Sequence, residues 1–208
     1  MSSPEPTPAI RRYRPEDRDA LYEICMLTGD AGGDARGVYR DQDLLPDLFT
    51  GPYAELEPDL AFVLDDGGRA VGYVLGTSDT ERFVRDFREK WLPTVAAKHP
   101  LPGGESGTPD AVMTAFLHEP ELMLNPALAE YPAHLHIDLL PGYQGRGYGR
   151  TLLTTLFGAL DEAGAKRVHL VMSTANTGAR VFYDRMGFHE IAVADPGPLA
   201  FLGRSTAA

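Results

Sequence analysis

Apolar positions along the chain alternate between a helical and an extended period, and the switches divide it into short elements. "AIRR" reads as a strand, and Pro15, Glu16 and Asp17 mark the first turn of a helix that carries Leu21, Ile24 and Thr28 on one face to about Leu27. The stretch "TGDAGGDARGVYRDQDLLPDLFTGPY" is rich in glycine and aspartate and predicts a loop with a short helix in its second half. "LAFVLDDGGRAVGYVLGT" holds two β-rich runs around "DDGG", which predicts a hairpin. Phe83, Phe87 and Trp91 follow four residues apart, an aromatic stripe expected in the core of a helix.

The next part, "LPGGESGTPDAVMTAFLHEPELMLNPALAEYP", is dense in proline and glycine, yet its Met, Leu and Phe residues need a surface to pack on. Residues 80–133 are therefore expected to form an inserted cap. Beyond them, "HLHIDLL" predicts a strand, and Leu152, Leu153, Leu156, Phe157 and Leu160 mark an amphipathic helix ending near Gly164. "KRVHLVMS" predicts a strand, "NTGARVFYDRM" a helix closed by Gly187, and "FHEIAVA" and "LAFLGR" two further strands. The fold class is α/β, with one domain over residues 9–203 behind a proline-rich tail, residues 1–8, expected to be disordered.

Between "HLHIDLL" and its helix lies "PGYQGRGYGR", with glycine at 142, 145, 147 and 149. Glycine loses the most backbone freedom on ordering, so such a cluster makes sense where positive φ or close approach to bare amides is required. A strand, a glycine turn and a helix start in that order form a phosphate cradle, because the first amides of the helix are unpaired and its dipole is positive there. The spacing disfavours two common cradles. The turn ends in Gly149, Arg150 and Thr151 with no lysine, unlike a P-loop, and its G-x-G-x-G spacing late in the chain is not a dinucleotide fingerprint. A turn whose amides converge on a pyrophosphate remains, with Arg146 and Arg150 adding charge.

Composition narrows the setting. The net charge of −11 opposes binding to nucleic acid, which rests on clustered Lys and Arg. No apolar run approaches the roughly 20 residues of a membrane helix and no secretory signal is evident, so a cytoplasmic protein is expected, as a monomer or homodimer without membrane partners. Cys25 is the one cysteine; its helical neighbours make it a buried hydrophobe rather than a nucleophile or a zinc ligand.

"QGRGYG", residues 144–149, resembles the Q/R-x-x-G-x-G/A turn of the GNAT family of N-acetyltransferases, and "NTGARVFYDRMGF", residues 176–188, resembles that family's later segment with its Asn, Ala, Tyr and closing Gly-Phe. The resemblance covers residues 9–191. The long segment before "HLHIDLL" is also similar to the acetyltransferase-like domain of O-GlcNAcases and its free-standing bacterial relatives. It implies a mixed, mostly antiparallel sheet with splayed central parallel strands, flanked by helices, and acetyl-coenzyme A as co-substrate. It further implies direct transfer of acetyl to a primary amine of a small molecule or peptide. A silent module that binds coenzyme A or a peptide without turnover is the alternative.

On this resemblance the cofactor-binding residues are Leu139, Leu140, Gln144, Gly145, Arg146, Gly147, Tyr148, Gly149, Arg150 and Asn176. The backbone of Leu139 and Leu140 is expected to pair with the pantetheine arm as an added half-strand would. Tyr183 is expected to protonate the departing thiolate, or else to be a core aromatic. His134, His136 and Asp138 alternate on one strand face, so His136 and Asp138 are candidates for the base. They could equally be ordinary polar partners. No metal is expected.

Overall fold

The computed structural model describes residues 7–101, 103 and 107–207. Most of the expected N-terminal tail and the glycine-rich middle of the expected cap therefore lie outside the described residues. The chain opens with strand β1 (Ala9–Arg12), a 3-10 turn at Pro15–Asp17 and helix α1 (Arg18–Thr28), then α2 (Leu44–Phe49) and α3 (Gly51–Leu56). The hairpin follows as β2 (Ala61–Asp66) and β3 (Arg69–Thr77), turning at Gly67 and Gly68. Helices α4 (Thr80–Asp86), α5 (Leu92–Val95) and α6 (Pro109–His118) lead to β4 (Ala133–Leu139). The remainder is α7 (Tyr148–Glu162), β5 (Arg167–Ser173), α8 (Thr177–Arg185), β6 (His189–Glu190) and β7 (Leu199–Ser205). The expected strand "FHEIAVA" shortens to two residues, because only Ile191 continues the pairing, through its N–H to Phe201, before the chain turns at Pro196.

These strands make one seven-stranded sheet in the order β1-β2-β3-β4-β5-β7-β6. All neighbours are antiparallel except β4 and β5. One face carries Phe62, Leu64, Val74 and Leu135 against the Leu152, Leu153, Leu156 and Leu160 stripe of α7. The other carries Val63, Tyr73 and Leu75 against α1, α2 and the aromatic stripe. Gly76 brings α7 close: a Cβ there would lie 3.2 Å from Leu156 and 3.0 Å from the His134 carbonyl oxygen. Burial of these aliphatic side chains, at about 25 cal/mol per Å², is the main force holding helices to sheet.

The aromatic stripe is buried as its spacing predicts, with Phe83 and Phe87 fully inaccessible and Trp91 donating its indole N–H to the Asp47 carbonyl at 2.7 Å. Between α4 and α5 the helix widens into a π turn, Phe87–Trp91. Pro93 explains it: proline lacks an N–H and its ring clashes with the carbonyl four residues back, and the wider turn removes that conflict. Residues 80–132 leave and re-enter the sheet at one point, since Thr80 gives both its N–H and its hydroxyl to the Pro132 carbonyl, each at 2.8 Å. Within the segment Leu117 is fully buried in the same core as α1 and α2, and the Asp110 carboxylate accepts the N–H groups of Arg40 and Asp41.

Candidate active site

β4 and β5 are paired only at Ala133 with Val168 and at His134 with His169. Beyond that point β5 follows β7 while β4 stays with β3, so the two strands part and leave a gap. The Leu140 N–H bonds to the Val71 carbonyl at 3.0 Å, and antiparallel pairs alternate between bonded and unbonded positions. Residues 134, 136 and 138 therefore hydrogen-bond toward β3, while Leu135, Ile137 and Leu139 turn their backbone groups toward the β5 side, which opens into the gap after the His134–His169 pair. Of the two residues expected to pair with a ligand, Leu139 has its N–H on the gap side, and its carbonyl accepts from the Gln144 amide at 2.8 Å. Leu140 has its N–H on the Val71 carbonyl and its carbonyl on the Tyr143 N–H, so both its backbone groups are already paired.

The glycine turn opens at the same end of β4. Gly145 (φ 68°) and Gly147 (φ 90°) take the left-handed conformation, with nothing within 4 Å of the position a Cβ would occupy. No group among the described residues accepts from the backbone N–H groups of residues 145–150. Tyr148, Gly149 and Arg150 form the first turn of the fifteen-residue α7, so its unpaired amides and positive dipole end face the same open space. Arg146 lies over the Tyr148 ring, and both Arg146 and Arg150 are exposed. Gly149 has a different part: a Cβ there would come within 3.2 Å of the Phe182 ring, so its small size lets α8 approach α7.

His134, His136 and Asp138 share a face of β4, as their alternation predicts, but their surroundings divide them. The single Thr80 hydroxyl proton goes to the Pro132 carbonyl, so Thr80 Oγ1 must accept from His134 Nδ1 at 2.7 Å. In neutral His134, Nε2 is then an acceptor for the Tyr53 hydroxyl at 2.7 Å, and the Tyr53 oxygen accepts from His136 Nε2 at 3.0 Å. His134 is thus a saturated core residue, held neutral by burial. His136 ends the chain of bonds with Nδ1 as its lone-pair atom, and burial lowers its pKa to about 4. Asp138 behaves oppositely: burial raises its carboxyl to about 6, against the lowering effect of the Tyr73 and Thr28 hydroxyls.

From the opposite strand and helix come the last two candidates. Asn176 caps α8, its carboxamide oxygen accepting the Ala179 N–H at 3.0 Å, and its amide nitrogen lies against Gly32 in the loop after α1. Tyr183 is 8% exposed, with its ring against Phe182 and Phe188. No group among the described residues bonds its hydroxyl, whose oxygen is not sealed from solvent. Burial and then the Asp138 charge raise its pKa, so the hydroxyl keeps its proton and lies within the electrostatic reach of Asp138. Sequence reasoning did not find Tyr73, Thr28 and Tyr53, the hydroxyls that hold the β4 polar row; no motif marks them, since strand register and helix packing bring them there.

Comparison with known proteins gives the family and the fold. Residues 108–188 match the model of the acetyltransferase (GNAT) family. The crystal structure of SsHAT is 59% identical, with a TM-score of 0.94 over 98% of this chain and all of that one. Protein O-GlcNAcase of Rattus norvegicus is 28% identical over 94% of this chain, which spans only 22% of that relative's length. YncA of Salmonella typhimurium, a putative acetyltransferase solved with its cofactor acetyl-CoA, shares the fold at a TM-score of 0.56 and 17% identity, over 98% of this chain and 96% of that one.

Proposed function

We propose that this chain, which belongs to the acetyltransferase (GNAT) family and is an acyltransferase, moves acetyl from acetyl-coenzyme A directly to a primary amine. One observation carries the reading: the run of unpartnered amides at residues 145–150 opens onto the gap between β4 and β5. The residues fit the co-substrate. The bare turn and α7 dipole suit a pyrophosphate, with Arg146 and Arg150 beside it, and the edge of β4 at Ile137 and Leu139 suits the amide-bearing pantetheine arm. Asn176 stands across the gap at the start of α8. When bound, acetyl-coenzyme A supplies the activated acyl group as a thioester.

The chain's own residues then handle protons. An amine must be neutral to attack, and Asp138, with a pKa of about 6, is ionised at neutral pH and close enough to it to take a proton efficiently. His136, near 4, is the weaker base. Tyr183, protonated throughout, gives its proton to the departing sulfur. The Leu139 N–H faces the gap as the donor for developing negative charge on oxygen. Direct transfer is favoured because Cys25, the one cysteine, is 5% exposed with its thiol raised to about 12, far from a nucleophilic thiolate. Residues 80–133 are read as a cap on the acceptor side, since they pack against α1 and α2 rather than α7.

The test is calorimetry with acetyl-coenzyme A, followed by a thiol-release screen against amines, amino acids, amino sugars and lysine peptides. Binding with release toward at least one amine is expected. Absence of binding would overturn the reading, and binding with no release toward any amine would make the chain a silent coenzyme A module.

A further inference from the structure

Asp138 is a partly buried carboxylate with no cation beside it among the described residues. The charged and titratable groups that face it are Cys25 from α1, Tyr73 from β3, Tyr183 from α8 and His136 two residues back on its own strand. None of these is positively charged at neutral pH. What favours the carboxylate is a pair of hydroxyls: Tyr73 donates to Oδ2 at 2.7 Å, and Thr28 lies within hydrogen-bond reach.

The two hydroxyls are not equivalent. The Thr28 hydroxyl donates to the Ile24 carbonyl at 2.8 Å, one turn back in α1, so it must rotate to serve an ionised Asp138. The Tyr73 hydroxyl lies 2.7 Å from Asp138 Oδ2 and 3.4 Å from the Thr50 hydroxyl, so the carboxylate is its shorter and stronger acceptor. Tyr73 is the register partner of Asp138 across the β3–β4 ladder, so the two side chains stand beside each other on one face. Its ring is 1% exposed within the core. With the tyrosine proton pointing to Oδ2, the Thr50 hydroxyl 3.4 Å away acts as the donor of their pair. Burial keeps the phenol protonated, so the donation to Oδ2 persists through the neutral range.

Resting on the reading of Asp138 as the base, we infer that Tyr73 is its positioning residue. The Tyr73 hydroxyl holds Oδ2 and leaves Oδ1 to take the proton leaving the acceptor amine. In the balanced step the amine nitrogen forms the amide bond as the thioester C–S bond breaks. The nitrogen gives one proton to Asp138, Tyr183 gives one to the sulfur, and solvent restores both residues afterwards. A bond to the charged form lowers a carboxyl pKa, so Tyr73 also sets the pH above which the base is available.

The experiment is a carbon-13 NMR titration of the aspartate carboxyl groups in the free protein, with Asp138 assigned as the resonance missing from Asp138→Asn. In the unaltered chain Asp138 is expected to titrate near 6, and the Tyr73 Cζ resonance should move in step with it, a check that needs no variant. In Tyr73→Phe, which keeps the ring, the titration should rise by about one pH unit or more. The acid limb of turnover, followed by thiol release with an amine from the screen, should rise equally. A role limited to packing would lower turnover at every pH without moving either curve. An unmoved Asp138 titration in folded Tyr73→Phe, or a Tyr73 resonance indifferent to it, overturns the inference and leaves the base reading standing. Full turnover in Asp138→Asn removes the base reading and this role with it, while the titrations still show whether Tyr73 bonds Asp138.

Discussion

The two sides of β4 are built on opposite terms. Leu135, Ile137 and Leu139 pack toward α7, and beside them the backbone N–H groups and glycines of residues 145–150 stand open. His134, His136 and Asp138 point to the other layer, where protein hydroxyls occupy nearly every polar atom. On the proposed function, the open side suits a ligand that brings its own acceptors. On the closed side burial moves the carboxyl up and the imidazoles down while neutral hydroxyls hold them in place, which on the proposed function suits it to moving protons. One strand can do both since its side chains alternate between faces and its backbone groups between edges.

The largest effect expected from breaking this division is on the open side. Gly147→Asp puts a β-carbon at φ 90° and a negative charge in the cradle, and should weaken coenzyme A binding by about 100-fold or more in a folded protein, measured by calorimetry. Stability should fall by about 1–2 kcal/mol, the strain of an L side chain at that positive φ, with no clash added because no atom lies within 4 Å of the new Cβ. Unchanged affinity would show that the turn is not the phosphate site. Tyr183→Phe should lower turnover by about 100-fold while leaving coenzyme A affinity intact, since only the proton is lost. Turnover within threefold of the parent would exclude Tyr183 as the acid.

Asp138→Asn sharpens the account of the closed side through stability. The folded carboxyl titrates near 6 and the unfolded one near 4, so the native state favours the neutral form. Its favourable contribution is complete below about pH 4 and is lost as pH rises through about 6. Asp138→Asn should therefore be more stable than the parent at pH 7, by up to about 3 kcal/mol, with the difference vanishing near pH 4. Urea unfolding at the two pH values checks it, and equal stability at both would mean that Asp138 is not desolvated. The smallest effect is expected from Cys25→Ala, which should cost about 1 kcal/mol of packing and leave turnover within twofold. Loss of turnover without loss of fold would revive an acetyl-cysteine route.

The elements of the open side were legible because each depends on neighbours in the chain. The "DDGG" hairpin, the α7 stripe and the glycine turn are local patterns, and "QGRGYG" with "NTGARVFYDRMGF" carried the family resemblance. The expected base candidates were legible only as an alternation on one strand. Nothing in "AHLHIDL" separates His134, locked between Tyr53 and Thr80, from Asp138, raised to about 6 and held by Tyr73.

By itself the sequence determined the strands and helices, the positive-φ turn and the ordering of the two motifs, since backbone propensity, capping and side-chain period act over a few residues. Only the tertiary structure decided where β4 leaves β5, which Leu139 or Leu140 amide faces the gap, and which polar side chain of β4 can change its charge. Those outcomes depend on register across the sheet and on desolvation by residues 50 to 110 positions away, such as Tyr53, Tyr73 and Thr28. Coulomb and solvation energies follow distance in space, and the fold alone sets that distance.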